Sequence, residues 1–581
     1  MADEHVPSLP LNQADPSTAI TTAPAPNVAV QAAPAVEAAA IAPKTDKTLP
    51  ENKDVFREVA ETIVFVVVLV LLLKTFIAEA FVIPTGSMAT TLWGYQKFVT
   101  CPTCEFQFPV NASAEGDPAA DTHKRITRCE CPNCRTEIDC SNVPFHSGDR
   151  VLVFKGLYDT GLHKPQRHDV VVFKYPVEPQ VRHTAMNYIK RLIGLPGETI
   201  AICQGQLYFT DTPPSKVTKP EAYWGRSKYD QYNWGDDKDD TVKEAAQLWT
   251  DGKFQIIRKT PDLILAMSRI VFDNDFQPAN TEAFPTRWTG ADWKGDGPNP
   301  RSFTGAGQAG EPRWLRYRNV LAAGKKPELI SDFMGYNTSD FTASGTNWVG
   351  DLLLECEVEV KSANAAGEFV VEVNRGADRF QARFNLSTGD CMLLRNDKPL
   401  TMPGDGGPVA ATRPTALKGA GKFKVRLANF DEQLTLWVND ELPFGNGVAY
   451  AAPTLAGPTE NDLEPASVGV SDAVVTVSRL KLSRDTYYTP GPGGGGVALH
   501  GDDWSNPAQW QALRTLAPRF HYVHPNHYFC LGDNSPASAD SRSWGMVPDR
   551  LMLGRALVVY FPFYAPYWPI NSPTNRVGLI R

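Results

Sequence analysis

The sequence predicts a mainly β chain, with a membrane-spanning helix near its N-terminus and a β-sandwich inserted into a separate β domain. Three observations carry that expectation. Six runs between residues 345 and 485 alternate apolar and polar side chains, with turn residues between them, which is the pattern of antiparallel strands covered on one face. Pro (47) and Gly (44) are abundant while charged residues are only 21%, a balance that suits strands and loops better than helices. Residues 63–73, Ile-Val-Phe-Val-Val-Val-Leu-Val-Leu-Leu-Leu, are apolar without exception. At 581 residues the chain holds more than one domain. Its net charge of −8 is mild for that size and gives no reason to expect a nucleic-acid partner.

Residues 1–55 are Ala, Pro, Val and Thr with scattered charges and no helix or strand period, so a disordered tail is expected. Eleven apolar residues of helix reach only about 16 Å, against a bilayer core of roughly 30 Å, so the span takes in its neighbours, residues 56–80. Lys74 would then snorkel toward a headgroup layer. Lys44, Lys47, Lys53 and Arg57 precede the run, which puts the tail in the cytoplasm and everything after residue 80 outside. A competing reading makes the run the core of a signal peptide, with Ala78-Glu79-Ala80 as its cleavage site. The long preceding tail, and the free end that such a cut would leave near Ser87, favour an uncleaved anchor.

Six of the ten cysteines fall between 101 and 140. Cys101-Pro-Thr-Cys104 and Cys131-Pro-Asn-Cys134 are two Cys-x-x-Cys knuckles separated by a loop, the spacing of a zinc ribbon. Cys101, Cys104, Cys131 and Cys134 are the candidate ligands, and Cys129 and Cys140 are left over. Disulfides are the other reading, since an extracytoplasmic location permits them. In both readings the element is structural, because every candidate ligand is a thiol and no open position is indicated.

Further on, Gly148–Val153, Asp169–Lys174 and Tyr188–Ile193 are short β-rich runs after turn signals. Alternation sends Lys190 and Arg191 to opposite faces, one inward and the other to solvent. Residues 257–269 read as a short helix. The rest of 211–335 is Trp- and Gly-rich and reads as an irregular insert without ligand spacing. Residues 336–490 hold the sandwich runs: 352–360, 368–373, 379–384, 422–427, 434–438 and 474–482. Gly404-Asp-Gly-Gly-Pro and Pro492-Gly-Gly-Gly-Gly lack a following Lys-Ser/Thr or nucleophile and are loops. The closing aromatic run, 557–568, is broken by prolines and too short to span a bilayer.

Three stretches carry chemistry. In Phe81-Val-Ile-Pro-Thr-Gly-Ser-Met88, Pro84 and Gly86 break regular structure and leave Ser87 on a constrained turn. The others are Tyr188-Ile-Lys-Arg-Leu-Ile-Gly-Leu-Pro-Gly-Glu198 and Gly532-Asp-Asn-Ser-Pro-Ala-Ser-Ala-Asp-Ser-Arg-Ser-Trp-Gly545. In this order they resemble the bacterial type I signal peptidase, or leader peptidase, a family that cuts secretory signal peptides with a Ser-Lys dyad. The resemblance covers roughly residues 60–100, 147–210 and 525–560, less than half of the chain.

The resemblance implies a β catalytic domain of the signal-peptidase type, formed by 81–210 and 521–581 and interrupted by the Cys-rich insert 101–140. Ser87 would be the nucleophile and Lys190 the buried general base. The Ser87 N–H and the Thr85 hydroxyl, where many relatives carry Ser, would hold the oxyanion. Ser538 would orient Lys190, and an Asp540–Arg542 ion pair would brace the loop. The chemistry needs a neutral amine, and a free lysine titrates near 10.4, so burial must lower it by units. Catalysis would need no cofactor, which leaves zinc a structural role only. The implied partners are membrane lipid and secretory preproteins with small residues, such as Ala, at the first and third positions before the cut. The implied location is the cytoplasmic membrane, single-pass, with the catalytic domain outside. The strand pattern of 336–490 resembles concanavalin-like jelly rolls, which points to glycan or protein contact. A rival reading follows: an envelope protein that binds glycan or protein through this sandwich, with a vestigial dyad. Penicillin-binding enzymes use Ser-x-x-Lys on one helix, and Ser87 is followed by Met-Ala-Thr, so that class fails on spacing.

Overall fold

The computed structural model describes residues 55–118, 123–159, 163–176, 186–213, 240–322, 325–337, 345–404, 407–452, 455–491, 499–561 and 577–581. The tail expected over 1–55 and the 492–496 loop therefore lie outside the described residues, apart from Val55, as do 562–568 of the closing aromatic run. The described chain is mainly β. It separates into two units, Met1–Val66 and Val67–Arg581.

A helix runs Val55–Leu72, followed by a π-helical turn, Leu73–Ile77. Its apolar residues Ile63–Leu73 are 41–66% exposed. Arg57, Glu58 and Glu61 occupy its first turns, and among the described residues no helix is long and apolar enough to cross a membrane. The segment 56–80 expected to be helical throughout is helical only to Ile77. Ala78-Glu79-Ala80 opens a strand instead, because each of its residues pairs with a residue of Leu152–Phe154.

That strand is β1 (Ala78–Val82) of an antiparallel sheet with β2 (Arg150–Phe154), β3 (Val170–Lys174), β4 (Asn187–Gly194), β5 (His527–Leu531), β6 (Val547–Pro548) and β7 (Met552–Phe561). The order is β1-β2-β7-β3-β4-β5-β6, and Gly578–Leu579 adds to β7. β3 is apolar at every position from Val170 to Phe173, as a strand covered on both faces must be. Val170 and Val172 pack with Ile83, Met88, Leu92, Val151 and Val153, while Val171 and Phe173 pack with Leu192, Tyr528, Cys530 and Trp544. A second sheet, with Thr199–Cys203, Gln206–Thr210, Gln255–Ile256 and Arg519–Tyr522, shares a core with Ile193, Phe529 and Leu531. Ile257, Leu263 and Met267 belong to that core, the last two on a helix Pro261–Met267.

The six alternating runs lie in strands of one fourteen-stranded antiparallel sheet. Its spine is a 24-residue strand, Leu352–Arg375, laid along Ala466–Arg484 with three register shifts. The expectation of an irregular insert over 211–335 is corrected here. Arg269–Asp273, Trp288–Thr289, Trp293–Gly295, Ser302–Ala306 and Arg313–Tyr317 all join this sheet. Three of these five pair directly with Ala466–Arg484.

Candidate active site and thiol cluster

Register places the lysine. In an antiparallel pair, directly opposed residues share a face. Lys190 pairs with Val171 and Arg191 with Val170, so Lys190 lies on the Phe173 and Trp544 side and Arg191 on the Val151 side. Both faces are covered. Lys190 is 3% exposed and Arg191 0%, which corrects the expectation that one of the two points to solvent.

Four residues beyond β1, the chain enters a short 3₁₀ turn, Gly86–Met88, that carries Ser87. Lys190 Nζ lies 2.7 Å from Ser87 Oγ and donates a further bond to the Ile189 carbonyl at 3.0 Å. Burial lowers the Lys190 amine from its ordinary value to about 8, against the opposing pull of Asp540, Cys530 and Asp533, with Arg542 adding to the lowering.

The loop after β5 supports both groups. The Asn534 N–H donates to the Ser87 carbonyl (3.0 Å), and Asn534 Nδ2 donates to the Gly86 carbonyl (3.0 Å). Gly532 is confined, because a Cβ there would stand 2.1 Å from Ser538 Oγ and 2.6 Å from the Ser87 carbonyl. Arg542 and Asp540 are fully buried and paired through two bonds, Nε to Oδ1 (2.8 Å) and Nη2 to Oδ2 (2.6 Å). Burial pushes the Asp540 carboxyl up, but Arg542, the Gly532 N–H and the nearby Ser538 hydroxyl hold it below the usual carboxylate range. Ser538 is 2% exposed, and among the described residues its hydroxyl makes no hydrogen bond to Lys190. The orienting bond expected from Ser538 to Lys190 is therefore not made; the hydroxyl is packed against Gly532 instead. Thr85 is exposed in extended conformation just before the turn, and its hydroxyl has no partner among the described residues.

Sequence reasoning passed over a second buried ion pair. Arg191 Nε and Nη2 grip Asp533 Oδ1 and Oδ2 at 2.8 and 2.7 Å, and Thr91 Oγ1 donates to Oδ2 at 2.6 Å. Asp533 sits next to Asn534 inside a stretch already singled out. The adjacency of Arg191 to Lys190, with period two, was the signal available for it.

The two Cys-x-x-Cys knuckles are built alike. The Cys101 and Cys131 carbonyls each accept from the N–H four residues on, and the donors, Glu105 and Arg135, follow each knuckle with positive φ (62° and 66°). All four Sγ atoms lie within 4.8 Å of one another, with Cys101–Cys134 at 3.5 Å and Cys104–Cys131 at 3.7 Å. Tetrahedral thiolate ligation with bonds near 2.3 Å puts sulfurs about 3.8 Å apart, whereas a disulfide is about 2.05 Å. The cluster could hold a metal, and all ten cysteines are free thiols. Such an ion would be purely structural, since all four positions are taken by protein.

Comparison with known proteins bears on the same residues. A family model described as signal peptidase, peptidase S26, matches residues 135–259 and 465–561. Those segments hold Lys190 and the whole of Gly532–Gly545, while Ser87 lies outside them. The matches support the signal peptidase family, and with it a peptidase. Signal peptidase I of Rickettsia massiliae is 29% identical over 179 residues, 31% of this chain and 51% of that protein. The Rickettsia typhi enzyme is 30% identical over 171 residues, 29% of this chain and 48% of that protein. The chain spans about half the length of these curated relatives. Among solved structures, a carbohydrate-binding module, CBM66, from Bacillus subtilis matches 34% of this chain and 95% of its own at 12% identity and a TM-score of 0.20. The Caenorhabditis elegans galectin LEC-6 matches 23% of this chain and 82% of its own at 11% identity and a TM-score of 0.15. Scores this low establish no shared fold.

Proposed function

We propose that this chain is a membrane-anchored serine endopeptidase that removes N-terminal signal peptides from secretory preproteins with a Ser-Lys dyad. The observation that carries the reading is a buried amine, depressed to about 8, set 2.7 Å from the hydroxyl of a serine on a tight turn. In the neutral state Lys190 accepts the Ser87 proton as Oγ attacks the scissile carbonyl. Negative charge then develops on the former carbonyl oxygen, where the Ser87 N–H and the Thr85 hydroxyl are the donors at hand. The Lys190 ammonium returns its proton to the leaving amine, and the ester left on Ser87 Oγ is hydrolysed by water activated by the same amine. The Asp540–Arg542 and Arg191–Asp533 pairs fix the loop that holds the Ser87 carbonyl. The substrates are preproteins with small residues before the cut.

The apolar surface of Ile63–Leu73 is the lipid contact of this reading, with the preceding residues in the cytoplasm. The four-thiol cluster holds structural zinc. The test is cleavage of a preprotein carrying an Ala-x-Ala site by the purified chain. Ser87→Ala and Lys190→Ala are each expected to lower the rate by roughly 10²–10⁴ or more. Undiminished cleavage by either variant refutes the dyad.

A further inference from the structure

Outside the dyad's own sheet, two segments reach back onto the serine turn. One is Met334–Asn337, which precedes the long strand Leu352–Arg375; the other is Arg269, the first residue of the fourteen-stranded sheet. Asn337 (3% exposed) and Asn534 (0%) face each other through their carboxamides. Asn337 Nδ2 donates to Asn534 Oδ1 at 3.0 Å, and Asn534 Nδ2 donates to Asn337 Oδ1 at 2.8 Å. The same Asn534 Nδ2 donates to the Gly86 carbonyl, and the Asn534 backbone to the Ser87 carbonyl. Arg269, 5% exposed, donates to Thr90 Oγ1 (2.9 Å) and the Ala89 carbonyl (3.2 Å). The Tyr336 ring is pressed on Gly86 so closely that a Cβ there would stand 2.6 Å from it.

Without the Asn337 amide, Asn534 keeps a buried acceptor and a buried N–H with no partner, a cost of about 1–3 kcal/mol. Its carboxamide then has reason to turn, and the Gly86 carbonyl loses its donor. We propose that Asn337 and Arg269 are positioning residues for the Ser87 turn, so that the region carrying the fourteen-stranded sheet is a working part of the dyad site rather than an independent appendage. This rests on the peptidase reading. It assigns to Asn337 the orientation of Asn534, and to Arg269 the Ala89–Thr90 end of the turn. Neither residue touches the reacting atoms.

The experiment uses the full chain with Asn337→Leu, which keeps the volume, and Asn337→Ser, which adds no bulk if the leucine misfolds. The expected result is a kcat roughly 10–100-fold lower with KM changed less than about twofold, as for a nucleophile displaced by a fraction of an ångström to an ångström. The pH midpoint of kcat/KM stays in place, because Lys190 keeps its surroundings. Amide hydrogen exchange over residues 86–89 is expected to quicken. If Ser87→Ala is inactive while both Asn337 variants keep the wild-type kcat, the positioning role is overturned and the peptidase reading stands. If the unaltered chain cleaves no preprotein, the peptidase reading falls. Exchange then decides alone: unchanged protection of 86–89 in both variants overturns the bracing, and lost protection supports it.

Discussion

Between pH 7 and pH 9, the initial rate of preprotein cleavage at substrate well below KM should rise about tenfold and then level, because only the neutral form of Lys190 can take the serine proton. The magnitude follows from an amine at about 8. Roughly one molecule in eleven is neutral at pH 7, half at pH 8 and about ten in eleven at pH 9. An amine left at the ordinary lysine value would give a rise of about a hundredfold over the same interval, with no plateau before about pH 10. The cause of the lowering is burial, and Asp540, Cys530 and Asp533 oppose it while Arg542 assists. The profile is measured as kcat/KM, which reports the free enzyme. A rate still climbing tenfold per unit at pH 9.5, or one flat from pH 6, refutes a buried, depressed lysine as the base.

The same amine has a signature in stability. Its folded value lies below its unfolded one, so folding works against the charged form, and the full cost applies below pH 8, where both states hold the proton. Lys190→Met should therefore stabilise the fold at pH 7 by about 3 kcal/mol, an advantage that shrinks as pH rises from 8 to about 10.5, read by urea unfolding at a series of pH values. Gly532→Ala should cut cleavage by roughly a hundredfold and cost about 1–3 kcal/mol of stability, because its Cβ has to displace Ser538 Oγ or the Ser87 carbonyl. Wild-type kinetics in that variant would show that the turn tolerates the shift. The purified chain should carry about one equivalent of zinc by elemental analysis, and Cys104→Ser should lose it together with several degrees of Tm. A metal-free chain with an unaltered melting curve refutes a structural ion.

Ser87 and Lys190 could be paired in the sequence only through the resemblance of the three stretches, in their order, to signal peptidases. A turn serine after an apolar run, or a lone lysine in a strand, is taken alone an ordinary structural residue; the structure sets the two 2.7 Å apart. The six alternating runs, which lie in five strands of one sheet, were legible from a local signal, alternation at period two. Arg191 was misjudged because alternation gives the face of a residue and not what covers that face. Only the packing of the two faces, with Ile83 and Val151 on one side and Phe173 and Trp544 on the other, shows that neither side is wet. Residues 269–317 read as irregular since their strands are two to five residues long and Trp- and Gly-rich. Their partners in Ala466–Arg484 lie more than 150 positions away. Asn337 and Arg269 carry no local signal at all, because a carboxamide or a guanidinium acquires its meaning from the carbonyls it meets. Ser538 is similar: the motif supplies the hydroxyl but not the partner it meets, and among the described residues it makes no bond to Lys190.

The neighbours Lys190 and Arg191 hang from opposite sides of one strand, and this has a consequence for what a misfolded version could do. A guanidinium stays protonated across the whole accessible pH range and can take no proton from a hydroxyl. Sliding β4 by a single position would carry either the arginine to the serine or the lysine to the aspartate, never both, and in each case takes the titrating amine away from the hydroxyl. On the proposed Ser-Lys reading, the ladder that aligns this strand is thus a gate on reactivity: molecules assembled one step out of frame would be not weakly active but inert.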